Sequence, residues 1–236
     1  MGKVVAQANM SLDGYVAKQD NTIGRLFDWL QNGEVAIPTP AGDFTVHLTP
    51  PSAQHWRRWV PSLGALVCGR TLFDVTHGWQ GRHTLDVPVV VVTHQVPTDW
   101  VGAHHAAPFT FVTDGVEAAI AQAQALAGDR VVAVSGGTIA RQCLDLGLLD
   151  EVAIDLVPVV MGSVKWSGPW RTSHTPAGLS PRRKNWKRVR SRLVTSPGNC
   201  FKFSFASPSA KSMCASAALP KKPVVCCHSR SGEMYA

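Results

Sequence analysis

Residues 87–94 read VPVVVVTH: five valines in eight positions, without alternation between apolar and polar side chains. A strand with one face in water alternates. An uninterrupted β-branched run fits a strand covered on both faces, as in the middle of a parallel sheet. KVVAQANM (3–10), ALVCG (65–69), FTFVTDG (109–115), DRVVAVSGG (129–137) and LLDEVAIDLVPVVMG (148–162) also read as strand-bearing segments. Between them, PSAQHWRRWVPSLG (51–64) reads as helical up to Pro61, and TLFDVTHG (71–78) as a turn or two of helix. EAAIAQAQALAG (117–128) follows a capping-box-like pair, Asp114 and Glu117, and stops at Gly128. TIARQCLDLG (138–147) has Thr138 as its expected N-cap and Gly147 just past its end. Strands alternating with helices imply right-handed crossovers and an α/β sandwich on a mostly parallel sheet. YVAK (15–18) is expected to return in extended form after the turn SLDG. Residues 19–50 read as a long connection with one helical piece at LFDWLQ (26–31). No internal repeat is present.

The body of the chain and its end differ in charge. Residues 1–163 carry a formal −6 and residues 164–236 a formal +13, together the +7 of the whole chain. The basic balance therefore belongs to the end, and nucleic acid is not the expected partner of the body. The apolar runs fall far short of the roughly 20 residues of a membrane span, and no apolar h-region follows the first residues. The expectation is a soluble, cytoplasmic protein. Cys68 and Cys143 lie in apolar segments and read as buried thiols. Cys200, Cys214, Cys226 and Cys227 lie in the basic end without CxxC spacing, so neither a metal site nor a disulfide framework is expected.

In open α/β sheets, ligands bind beyond the carboxyl ends of the strands. SGGT (135–138) ends a strand and opens a helix, where amides and the helix dipole favour an anion. CGRT (68–71) repeats that layout with a basic residue, and VVTH (91–94) ends a third strand in polar groups. Each alone is a common turn; together, with Arg70 among them, they point to a phosphate-bearing ligand. Neither GxGxxG after the first strand nor GxxxxGK[ST] occurs, which counts against a Rossmann dinucleotide domain and a P-loop NTPase. Asp13 of SLDG is either a turn-former beside Gly14 or a carboxylate that orients substrate or assists proton transfer. His104 and His105 adjoin an expected loop and read as solvated. The basic-aromatic run Trp56, Arg57, Arg58 and Trp59 divides between core and surface on a helix.

ANMSLDGYVA (8–17), VCGRTLFD (67–74) and VSGGTIARQCLDLGLLDEVAIDLVPVVMG (134–162) occur in this order. Together they resemble the dihydrofolate reductase-like family, and within it the riboflavin-biosynthesis reductase domain and its small stand-alone bacterial relatives. The resemblance spans residues 3–163. It implies a three-layer α/β sandwich with a mostly parallel central sheet, in which NADPH crosses the carboxyl edge of the sheet. A hydride would pass to a small pterin- or aminouracil-like heterocycle, in a homodimer. It implies that Gly69, Arg70 and Thr71 hold cofactor phosphates, with Arg70 on the adenosine 2′-phosphate. Thr93 and His94 would lie near the adenosine ribose. Ser135, Gly136, Gly137 and Thr138 would take the pyrophosphate. Ala8 and Asn9 would border the nicotinamide, with Asp13 as the catalytic carboxylate facing substrate. Catalysis would rest on orienting donor and acceptor. His94 departs from the family pattern, since it aids a 2′-phosphate only when protonated.

Relatives of this type close the sheet with an antiparallel pair. Here an atypical basic segment, 164–206, follows the long strand, with RLVTSPGNCFKFSFA (192–206) as a closing hairpin and 207–236 as a disordered basic tail. Three accounts fit this change of character. One is an unusual insertion within the reductase domain. Another is a shift of reading frame near Gly162, leaving an impaired or non-enzymatic nucleotide-binding relative. The third is a nucleic-acid-binding module, whose affinity would fall steeply with salt.

Overall fold

The computed structural model describes residues 2–18, 20–162 and the backbone of 190–195. The SPGN turn, Phe201, Phe203 and Phe205, the cysteines of the basic end and the tail lie outside the described residues. In chain order the elements are β1 (Val4–Ser11), β2 (Val35–Pro38), β3 (Thr45–Leu48), α1 (Pro50–Trp59), β4 (Leu63–Gly69), α2 (Arg70–Val75) and β5 (Val89–Val92). There follow α3 (Thr98–Ala103), β6 (Phe109–Val112), α4 (Val116–Ala127), β7 (Val131–Ser135), α5 (Thr138–Asp145), β8 (Glu151–Val157) and β9 (Arg190–Thr195).

Seven strands form one sheet in the order β6-β5-β4-β7-β1-β8-β9, and every neighbouring pair is parallel. All carboxyl ends therefore reach the same edge. β5 is an interior strand whose Val89, Val90 and Val91 are wholly buried, as its uninterrupted valines require. Val90 joins Val67, Val132 and Val134 beneath Ala119, Ile120, Ala123 of α4 and Ala140, Cys143 of α5. Val89, Val91 and Cys68 face the other way, onto Phe73 and the aromatic residues Trp79, Trp100, Phe109 and Phe111. The two clusters make the outer interfaces of an α/β/α sandwich. Burial pushes the Cys68 and Cys143 thiols up to about 12, which leaves both unreactive.

Several local expectations are corrected. Residues 15–18 form no strand: the Tyr15 amide donates to Ser11 Oγ (2.9 Å) and the Ser11 amide to the Tyr15 carbonyl (2.9 Å), closing the loop on itself. The long connection contains an antiparallel hairpin, β2 with β3, whose Val46 and Leu48 pack on Ala53 of α1. LFDWLQ yields only a three-residue 3₁₀ turn, Asp28–Leu30. His104 and His105 follow α3 in a turn, as expected, and His105 is exposed, but His104 is half-buried and stacks on Trp100 (4.4 Å between ring centroids). The helix after CGRT stops at Val75. Residues 77–80 are left-handed, with φ of +51°, +58°, +47° and +54°.

The helix starts also differ. Gly115 and Gly137, not Asp114 and Thr138, occupy the N-cap places of α4 and α5. Their angles (φ +93°, ψ −176°; φ +104°, ψ −150°) lie in a region that glycine alone enters freely. Thr138 becomes the first helical residue. At the far side of the sheet, β9 runs parallel to β8, from Glu151 opposite Arg190 to Leu156 opposite Thr195, while the turn and second strand of the expected closing hairpin lie outside the described residues.

Candidate active site

The sheet order sets the loops after β5, β4, β7 and β1 side by side along the carboxyl edge. These are the loops that carry Thr93 and His94, Gly69 to Thr71, Ser135 to Thr138, and Asp13. Two glycines hold the row tightly together. A β-carbon on Gly69 would lie 3.1 Å from Ile139 Cγ1 of α5, and one on Gly136 would lie 3.1 Å from the Ala8 β-carbon of β1. α5 begins with no side chain capping its first amides, so those N–H groups face the loop with the positive end of the helix dipole. Ser135 donates through Oγ to the Val67 carbonyl (3.2 Å), tying β7 to β4.

At the β4–β5 end, Arg70 spans two loops. Its Nε donates to Asp74 Oδ1 (2.7 Å) and its Nη1 to the Gln95 carbonyl (2.9 Å). It lines a cavity of about 460 Å³ with Phe73, His77, Val96, Thr98 and Trp100 among its walls. That volume is within the usual range for small-ligand sites. Trp100 Nε1 is buried without a hydrogen-bond partner among the described residues. Thr93 is buried and turned inward: its hydroxyl donates to the Gln95 carbonyl (2.9 Å) and accepts from the Gln95 amide (3.3 Å). His94 and Thr71 are exposed.

Ala8 and Asn9 alternate along β1 and so face opposite sides of the sheet. Ala8 meets the Gly136 loop, whereas Asn9 accepts from Trp29 Nε1 (3.1 Å). On that second face lies a polar group that sequence reasoning missed. Trp59 Nε1 donates to Gln7 Oε1 (3.0 Å), and Gln7 Nε2 reaches Asp155 Oδ2 (3.4 Å). Asp155 is only 8% exposed. The one signal available was polar residues, Gln7, Asn9 and Asp155, interrupting strands otherwise apolar.

Asp13 closes the row. Its carboxylate accepts from the Met161 amide (3.1 Å to each oxygen) and the Gly162 amide (3.0 Å). Desolvation pushes this carboxyl up, but the Ser11 hydroxyl and the two amides together hold it below the ordinary carboxylate value. Asp13 is therefore an anion at neutral pH, suited to holding an N–H or a cation rather than delivering a proton.

Residues 2–194 match the family model of the RibD C-terminal domain. The chain belongs to that family. It is a reductase-type, dihydrofolate reductase-like α/β domain of riboflavin biosynthesis, as the three sequence motifs implied. No curated protein matches the chain significantly. Among solved structures, one from Shewanella sp. PV-4, named for riboflavin biosynthesis, is 21% identical. It covers 69% of this chain and 80% of its own, with a TM-score of 0.46. Among the described residues of this RibD-type domain, no helix is long and apolar enough to cross a membrane.

Proposed function

We propose that this domain is an NADPH-dependent reductase acting on a small pterin- or aminouracil-like heterocycle. The observation that carries the reading is the unbroken row of loops after β5, β4, β7 and β1, in a chain of this family. The residues fit the cofactor. Arg70 beside its cavity suits the adenosine phosphate, and the uncapped start of α5 suits the pyrophosphate, where Gly136 lets the backbone approach β1. NADPH, when bound, supplies the hydride. The protein's own part is positioning: Ser135 and the two close-contact glycines fix the loops, and Asp13 anchors the first turn. A homodimer belongs to the same proposal, and light scattering of the full chain checks it.

A second reading, nucleotide binding without turnover, is favoured by the use of Asp13 as a backbone anchor. Titration with NADPH, followed by tryptophan fluorescence, tests the shared part: no binding sinks both readings. Consumption of NADPH with pterin or aminouracil substrates then separates them, since a binder without turnover leaves the reduced-nicotinamide absorbance unchanged.

A further inference from the structure

Apart from His77, the charged groups on the walls of the cavity beside Arg70 are Arg70 itself, Asp74 and Asp99, one cation against two carboxylates. Asp74 is already committed. Its Oδ1 accepts from Arg70 Nε at 2.7 Å, which offsets much of the guanidinium charge within the cavity. Asp99 comes from the first turn of α3, next to Thr98 and Trp100 of the same walls. It is exposed and makes no ion pair among the described residues, so its charge is not offset in the same way.

A phosphomonoester carries about −1.5 to −2 charges at neutral pH. With a volume of about 460 Å³ the cavity is roughly 10 Å across, comparable to the Debye length of about 8–10 Å at moderate salt, so charges on its walls act on whatever it holds. We infer that Asp99 is a specificity-determining residue of the cofactor site: its carboxylate counters Arg70 and narrows the preference for a 2′-phosphorylated adenosine over the unphosphorylated one. The inference rests on the reductase reading, which puts the 2′-phosphate at Arg70. The two residues then act in opposite directions on one group. Arg70 donates through its remaining Nη hydrogens, whereas an ionised carboxylate has no donor to offer an oxyanion. A free 2′-hydroxyl is uncharged and can donate to a carboxylate, so Asp99 does not disfavour the unphosphorylated cofactor.

The test uses the full chain and two nucleotides without the nicotinamide, ADP-ribose and 2′-phospho-ADP-ribose, titrated calorimetrically at about pH 8, where free imidazole is neutral. Asp99→Asn is expected to tighten 2′-phospho-ADP-ribose about three- to tenfold and to change ADP-ribose less than about twofold. At about 1 M salt, where the Debye length is about 3 Å, the gain should shrink to less than about twofold. Asp99→Glu keeps the charge and should keep the wild-type ratio of the two dissociation constants. Should Asp99→Asn fail to fold, Asp99→Ser removes the same charge and carries the same expectation. A folded neutral variant with the wild-type ratio, the same gain in Asp99→Glu, or a gain undiminished by salt overturns the inference and leaves the reductase reading standing. Failure of the wild type to bind either nucleotide overturns both.

Discussion

Gly136 and Ala8 meet so closely that a β-carbon on the glycine would stand 3.1 Å from that of the alanine. Its other near neighbours, Val16 Cγ1 at 3.8 Å and the Gln7 carbonyl at 3.9 Å, leave ordinary room. Gly136→Ala should therefore shift β1 against the β7 loop by a few tenths of an ångström. We expect a stability loss of about 1 kcal/mol in urea melts and an NADPH Kd raised about tenfold. Gly137→Ala, in open space but at φ +104°, should instead lower stability through backbone strain, by about 1–3 kcal/mol.

Arg70 is preset by Asp74 and Gln95, so its remaining Nη hydrogens aim without rearrangement. Arg70→Ala should raise the NADPH Kd about 10- to 100-fold and the NADH Kd less than about threefold, because only the former carries the 2′-phosphate. Trp100, in the wall of the same cavity, makes fluorescence the natural measurement. An equal loss for both cofactors would place the 2′-phosphate elsewhere.

A β-carbon on Gly78 would lie 2.7 Å from Trp100 and 2.8 Å from Phe73, at a φ of +58°. Those rings are packed edge to face, with centroids 5.0 Å apart. Gly78→Ala should cost at least about 2–3 kcal/mol by chemical denaturation, with an unchanged m-value.

His83 supplies a pH dependence. Burial pushes its pKa down from 6.5 to about 4, against the opposing pull of Asp43. Its Nδ1 accepts from the Leu85 amide (3.2 Å), which requires the neutral ring. The folded state thus refuses a proton that the unfolded chain takes up. Stability is full above about pH 6.5 and falls as pH drops toward 4, by up to about 3 kcal/mol. His83→Gln should flatten urea-unfolding stability across that window. Asp43, held below its ordinary value chiefly by the Thr39 hydroxyl, loses its contribution only at lower pH.

The valine run, the alternating helices and the glycine stops at 128 and 147 made the sheet and its order of elements readable, because burial on both faces and helix termination are written locally. The hairpin β2–β3 was not, since its four-residue strands take their stability from Ala53, Trp29 and Trp56, distant or polar-flanked in sequence. The left-handed turn at 77–80 was equally hidden: three of its four residues avoid that conformation unless the aromatic packing below imposes it. For the site, loop chemistry exposed Arg70, Gly136 and Asp13. Asp155 stayed unread because its significance depends on which strand lies beside it.

The anchoring of Asp13 by the Met161 and Gly162 amides has a further consequence. The acidic body of the chain hands over to its basic remainder within a residue or two of that bond. The first turn of the candidate site is thus fastened directly to the two residues at which the acidic body ends.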